Sequence, residues 1–359
     1  MKKIVFVIPQ LYGGGAERVT AVLANEFCNR ADTEIHMINY FKNENDYFTD
    51  EKVIRHYMDF EKNGSGHNVF SKIRYYREFI KNVKPDCVIS LSDAGAAGVL
   101  ALSLFGTKTK LILSERNNPF LFPESKVLRA IRIMAFSLCN GIVFQTKGAE
   151  SFFPGYIQKK GTVIKNPITG KLPEYDFESR KPRIVNWCRL HPQKNLELLI
   201  NSFADISEDF PGYTLEIYGE GPEKERLLNI IGEKSCKERI ILRGHSNNVL
   251  EEVKDASLFV SSSDYEGISN SMLEALSMGI PCICTDCPPG GAKETICDGA
   301  NGILVPVGER KAMAEAMRKI LSDEKLAKNF SDEGKKLKEE LSAESIADQW
   351  FCFMNRILN

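Results

Sequence analysis

Glu266 and Glu274 bracket the segment Glu266-Gly267-Ile268-Ser269-Asn270-Ser271-Met272-Leu273-Glu274. A carboxylate accepts hydrogen bonds and donates none, so each can bridge two neighbouring hydroxyls. With Glu266 in a loop and Glu274 in the following helix, the pair can hold two different diols of one ligand. Gly267 opens the loop, Ser269 stands at the helix cap, and Asn270 follows it. Backbone N–H groups at such a helix N-terminus can receive a phosphate or a sugar hydroxyl. The bland alternative is a surface loop glutamate followed by a glutamate on an exposed helix face.

A second constellation is Asn186-Trp187-Cys188-Arg189-Leu190-His191-Pro192-Gln193-Lys194-Asn195. It follows a strand pattern and precedes a helix, so Arg189 and Lys194 emerge at the carboxyl edge of a sheet, where open α/β folds bind ligands. Two cations there can stabilise a leaving diphosphate without a metal ion. The sequence contains no Asp-x-Asp, and neither a metal nor a cofactor is expected.

Three further glycine-bearing strand exits stand at Tyr12-Gly13-Gly14-Gly15-Ala16-Glu17-Arg18, Tyr218-Gly219-Glu220-Gly221-Pro222 and Pro288-Pro289-Gly290-Gly291-Ala292-Lys293-Glu294. Glycine lets backbone amides approach a ligand closely, and a purely structural turn would read the same way. The dinucleotide fingerprint G-x-G-x-x-G is absent from the first of them.

The elements that must position these residues follow from periodicity. Apolar runs predict strands over Ile4–Ile8, Ile35–Ile38, Cys87–Leu91, Leu111–Ser114, Gly141–Phe144 and Thr162–Ile164, with helical patterns between several of them. After a stretch rich in turn residues the pattern restarts at Ile184–Trp187, Thr214–Tyr218, Ile240–Leu242, Leu258–Ser261, Pro281–Cys284 and Gly302–Val305. Strand and helix in alternation imply parallel sheets covered on both faces. The expected architecture is α/β, with two doubly wound Rossmann-like domains and a cleft between them. Residues 1–166 form the first domain, 167–182 a linker, 183–340 the second domain, and 341–359 a closing helix. That helix presents Ile346, Trp350, Phe353, Met354 and Ile357 at helical spacing and needs an apolar surface to cover.

Composition is that of a globular chain, with 359 residues, 43% hydrophobic and 26% charged. The net charge of -1 hides an asymmetry, since Met1–Asn166 carries 23 Lys and Arg against 16 Asp and Glu, and the remainder 24 against 32. A basic first half suggests an anionic partner such as a phospholipid surface, or simply unevenly distributed surface charge. No secretory signal or membrane-spanning run fits the sequence, so the expected location is cytoplasmic or peripheral to a membrane. Of the ten cysteines, the cluster Cys282, Cys284, Cys287 and Cys297 lacks zinc-ribbon spacing, and the segment Ile280–Cys284 within it reads as a buried strand.

Taken in order, Gly13–Arg18, Arg189 with Lys194, Gly219–Pro222, Glu266–Glu274, Gly290–Glu294 and Asp298–Pro306 resemble family 4 of the retaining glycosyltransferases. The resemblance covers nearly the whole chain. It implies the GT-B fold of two facing Rossmann-like domains, with the last helix crossing back onto the first. It implies further that Glu274 holds the donor ribose, Glu266 the hydroxyls of the transferred sugar, and Arg189 and Lys194 the diphosphate. Gly219, Gly267, Ser269 and Asn270 belong with the donor site, and Gly14 and Gly15 close it from the acceptor side. Gly290, Gly291 and Glu294 are candidates for positioning the sugar. Where many members carry a cleft histidine, this sequence reads Ser114-Glu115-Arg116-Asn117, and either Glu115 or Arg116 could position the sugar. Such enzymes need no protein nucleophile, because the donor phosphate can take the acceptor proton on the face from which the diphosphate leaves.

Two basic amphipathic stretches bear on the acceptor. Val69–Lys84 carries Lys72, Arg74, Arg77, Lys81 and Lys84 beside Phe70, Ile73, Tyr76 and Phe79, and Phe120-Leu121-Phe122 precedes Lys126, Arg129 and Arg132. They read as core-packed helices with solvated basic faces or as membrane-surface helices. Bacterial relatives often extend lipid-linked oligosaccharides, so the resemblance implies a nucleotide-sugar donor, a UDP-sugar by family habit, and a lipid-linked oligosaccharide acceptor. It places the enzyme peripherally on the anionic inner face of the cytoplasmic membrane, with no nucleic-acid partner. The rival readings are a UDP-sugar epimerase of the same architecture and a non-catalytic nucleotide-sugar-binding protein.

Overall fold

The computed structural model describes residues 1–58, 68–168 and 172–359. The chain divides into two compact units, one made of Met1–Thr169 and Ser342–Asn359, the other of Gly170–Leu341.

In the first unit β1 (Lys2–Val7), β2 (Thr33–Asn39), β3 (Ile54–Tyr57), β4 (Cys87–Ser90), β5 (Lys110–Glu115), β6 (Gly141–Phe144) and β7 (Gly161–Val163) form one sheet. Its order is β3-β2-β1-β4-β5-β6-β7, and every pairing is parallel. Ile4 of β1 lies opposite Ile35 of β2 and Cys87 of β4. The central strands are unbroken apolar runs because helices cover both faces. Those helices include α1 (Gly15–Cys28), α2 (Val69–Val83), α3 (Ala94–Leu104) and α4 (Lys126–Leu138). Strand order reverses direction between β1 and β4, and the crevice at such a switch point is where this topology binds ligands.

The closing helix, Ala343–Leu358, belongs to this first unit. It buries Ile346, Trp350, Phe353 and Met354. Phe351 packs edge-on against Phe27 of α1, with ring centroids 5.4 Å apart. Gly141 opens β6 beneath it, where an added Cβ would come within 2.1 Å of Ile357 Cδ1. Lys2 Nζ donates to Asn355 Oδ1 at 2.6 Å, tying the helix to the first strand.

The second unit repeats the design with β8 (Lys181–Trp187), β9 (Thr214–Tyr218), β10 (Ile240–Gly244), β11 (Ala256–Ser261), β12 (Cys282–Thr285) and β13 (Ile303–Val305). The order is β10-β9-β8-β11-β12-β13, again all parallel, with its switch point between β8 and β11. Cys282 and Cys284 lie buried in β12 with Cys287 just beyond it, and burial pushes the Cys287 thiol up to about 12.

Two features differ from expectation. Strand β3 was not legible as an apolar run, because an edge strand needs one buried face only and its sequence is Ile54-Arg55-His56-Tyr57. The expected linker 167–182 is largely part of the second unit; its residues 169–171 lie outside the described residues. Leu172, Tyr175 and Phe177 are buried there, the Tyr175 hydroxyl donates to the Ala256 carbonyl at 3.1 Å, and β8 already begins at Lys181. Aromatic residues set among prolines and charges gave that segment a turn-rich look while supplying its anchors.

Candidate functional site

In the second unit the loop after β8 and the loop after β11 meet at the carboxyl edge of the sheet. A short 3₁₀ turn, Pro192–Lys194, ends at Asn195, whose left-handed φ of 42° lets its side chain cap the following Leu196–Ile206 helix. Asn195 Nδ2 also donates to Asp264 Oδ1 at 2.7 Å. The Asp264 N–H donates to the Gln193 carbonyl (2.9 Å), Gln193 Nε2 to the Tyr265 carbonyl (2.9 Å), and Ser262 Oγ to the Lys194 carbonyl (2.8 Å). Four hydrogen bonds therefore staple the two loops together.

That staple brings the Lys194 ammonium into an ion pair with Glu266 Oε2, which also accepts from Ser263 Oγ at 3.1 Å. Both side chains are largely buried, at 12% and 19% exposure. Burial presses the Lys194 pKa down, but Glu266 outweighs it and the ammonium is held above its ordinary value. Arg189 is exposed, and among the described residues its guanidinium makes no ion pair. Its charge nonetheless reaches Lys194 and opposes it.

Ser269 caps the Asn270–Met278 helix, its Oγ accepting from the Met272 N–H at 3.4 Å, so Asn270 is the first helical residue. Glu274 sits one turn further on and is 2% exposed, which excludes the exposed-helix alternative. Its Oε2 accepts from the Trp187 indole Nε1 at 3.0 Å.

Close backbone approach or a left-handed backbone explains the glycines. Gly291 lies against Gly267, where a Cβ would come within 1.6 Å of the Gly267 carbonyl oxygen. Gly290 has a left-handed φ of 92° and accepts the Glu294 N–H at 3.0 Å. Gly219, at φ 138°, runs so close to the chain after β8 that a Cβ would meet the Cys188 carbonyl at 1.8 Å. The second unit thus gathers Arg189, Lys194, Gly219, Glu266, Gly267, Ser269, Asn270, Glu274, Gly290, Gly291 and Glu294 at or beside one sheet edge.

The remaining candidates belong to the first unit. Gly14 caps α1 and Gly15 opens it, with the Glu17 carboxylate folded onto Gly14 so closely that a Cβ there would meet Oε2 at 2.0 Å. Glu115 ends β5 in a buried ion pair with Arg132, Nη1 to Oε2 at 3.0 Å. Arg132 donates in turn to the carbonyls of Phe122 (2.6 Å) and Pro119 (3.1 Å), so this pair holds the loop after β5 in shape. Arg116 points elsewhere. Its Nη2 donates to Asn166 Oδ1 at 2.5 Å, which also receives Gln145 Nε2 at 2.7 Å, and burial brings its pKa down to about 10. Of the two residues left open for sugar positioning, Glu115 has a structural task and Arg116 carries spare donor atoms, Nε and Nη1.

The basic face expected after Phe122 needs correction. Arg132 is buried in the ion pair just described, and Arg129 is bound to the carbonyls of Pro123, Phe120 and Leu121. Only Lys126 of the three is solvent-exposed.

The sequence did not single out Trp187, Ser263, Gln193 and Asn195 for a role. One signal was available for Trp187: a tryptophan ending a buried strand must find an acceptor for its N–H.

Residues 171–337 match the family described as glycosyl transferases group 1. A relative from Campylobacter jejuni, the N-acetylgalactosamine-N,N'-diacetylbacillosaminyl-diphospho-undecaprenol 4-alpha-N-acetylgalactosaminyltransferase, is 27% identical over 93% of this chain and 94% of its own. The amylovoran biosynthesis glycosyltransferase AmsD of Erwinia amylovora is 25% identical over 96% of both chains. The structure of S. aureus TarM in complex with fondaparinux, alpha-GlcNAc-glycerol and UDP superposes with a TM-score of 0.80, at 16% identity, covering 99% of this chain and 100% of that one. With its paired Rossmann-like units and a donor-type sheet edge in the second, the chain is a glycosyltransferase of the GT-B fold. Its second unit is a member of the glycosyl transferases group 1, and the resemblance to family 4 stands.

Proposed function

We propose that this glycosyltransferase moves a hexosyl or N-acetylhexosaminyl group from a UDP-sugar to a hydroxyl of a lipid-linked oligosaccharide, with retention of anomeric configuration and without a metal ion. The observation that carries the reading is the stapled pair of loops that sets Lys194 against Glu266, with Arg189 exposed beside them and Glu274 buried behind. Arg189 and Lys194 supply the positive charge that a departing diphosphate needs, and the two glutamates supply acceptors for sugar and ribose hydroxyls. The donor phosphate oxygen receives the acceptor proton on the face from which the diphosphate leaves, so the protein contributes positioning and charge. The undecaprenol-linked substrate in the name of the Campylobacter jejuni relative and the UDP bound to TarM support the choice of acceptor and nucleotide.

Location at the inner face of the cytoplasmic membrane belongs to the same reading. Among the described residues no helix is long and apolar enough to cross a membrane. The start of α2 exposes Phe70 (83%) and Val69 (50%), while Arg74, Arg77, Lys81 and Lys84 of the same stretch are exposed. Exposed apolar side chains flanked by cations fit an anionic lipid surface.

The test offers a panel of nucleotide sugars with lipid-diphosphate acceptors to the wild type and to Arg189→Ala and Lys194→Ala. We expect one donor to be used with retention, and each variant to fold yet lose at least about a hundredfold in turnover. Inversion at the anomeric carbon, or full activity in both variants, would sink the reading.

A further inference from the structure

We infer that Trp187 is a positioning residue: its indole N–H orients the Glu274 carboxylate that holds the donor ribose. This rests on the assignment of Glu274 given above. Trp187 is the last residue of β8, the strand beside the switch point, and it is 7% exposed. Its ring stands edge-on to Phe259 of the neighbouring β11, with centroids 4.6 Å apart and planes at 64°. Two adjacent strands of the sheet thereby set the direction in which the indole nitrogen points. At its end lies Glu274 Oε2, 3.0 Å away, on a residue that is 2% exposed.

The chemistry of the two groups makes this contact directional. A carboxylate removed from water needs donors, and one left without them loses its favoured geometry. The indole N–H is a donor only, so it cannot compete with the carboxylate for a ribose hydroxyl. It engages one lone pair of Oε2 and so narrows the orientations open to the carboxylate. A diol bridged by one carboxylate requires that plane to be fixed, because both of its donors must be met together. Phenylalanine at 187 would pack against Phe259 almost as well and leave the carboxylate without this donor. The contribution of Trp187 therefore lies in its nitrogen and not in its bulk.

The variants are Trp187→Phe, Trp187→His and Glu274→Gln, each checked for a cooperative melting transition and titrated with UDP and with 2′,3′-dideoxy-UDP. Histidine can overlay a ring N–H on the indole nitrogen while giving up more apolar volume than phenylalanine. We expect Trp187→Phe to weaken UDP binding about tenfold, and Trp187→His to weaken it less. The penalty of Trp187→Phe should shrink to within about twofold for the dideoxy nucleotide, whose ribose has no diol to hold. In turnover, the KM for donor should rise with kcat nearly unchanged, as befits a ground-state binding contact. Equal weakening for both nucleotides, wild-type affinity in Trp187→Phe, or a larger loss in histidine than in phenylalanine overturns the inference and leaves the ribose assignment standing. Undiminished UDP affinity in Glu274→Gln overturns the ribose assignment, and the inference with it.

Discussion

Lys194 and Glu266 stand 72 residues apart in the chain and form one ion pair in the fold. The family resemblance assigned them to different parts of a ligand, one to the diphosphate and one to the sugar, and sequence alone has no means of showing that they also hold each other. Their pairing sets up a competition, since a phosphate that recruits Lys194 must share it with Glu266. Removing the carboxylate charge leaves a buried ammonium uncompensated, which costs stability but is relieved by an anionic ligand. Glu266→Gln should therefore bind UDP more tightly, by about threefold to tenfold, while transfer falls by at least about a hundredfold because the sugar loses its charged acceptor. Calorimetry with UDP beside a turnover assay checks both, and weaker UDP binding would refute the competition. At this scale the sequence drew attention to the residues that the second unit gathers at one sheet edge, because they cluster at strand exits. It could not choose between Glu115 and Arg116, because the choice turns on the partner each finds, Arg132 for one and Asn166 for the other.

At the scale of elements, the second sheet carries an ion network of its own. Glu216 on β9 accepts from Arg183 of β8 at 2.9 and 2.8 Å and from Arg243 of β10 at 2.9 Å, so three neighbouring strands share one carboxylate. Burial alone would push the Glu216 carboxyl up, but the two guanidiniums prevail and hold it at about 2. A carboxyl lowered in the folded state stabilises the protein above its unfolded pKa and loses that contribution as the pH falls through the folded value. Glu216→Gln should lower stability at neutral pH by about 3 kcal/mol, and the gap to wild type should narrow between about pH 4.5 and 2. Urea unfolding across that range measures it. Most strands were legible because a strand buried on both faces is a continuous apolar run, as in Ile4–Val7 and Leu258–Ser261. The edge strand β3 has no such run, and Tyr175 and Phe177 were hidden among the turn residues around them.

For the whole molecule, charge and exposed apolar surface set the expected behaviour towards lipid. The basic excess lies in the first 166 residues, and Phe70 and Val69 are exposed at the head of α2. The protein should sediment with vesicles containing anionic lipid at low salt and be released as ionic strength rises. Phe70→Ser should weaken that association several-fold without changing turnover on a water-soluble acceptor. Equal partition onto neutral vesicles would count against an electrostatic surface. The closing helix has a different implication, one for synthesis. The first unit is discontinuous, with the whole of the second inserted between its two segments. As the chain leaves the ribosome, the surface of α1 around Phe27 must wait uncovered while Gly170–Leu341 is made, and the second unit has all its residues before the first does. The nascent first unit is thus the stage most in need of a chaperone.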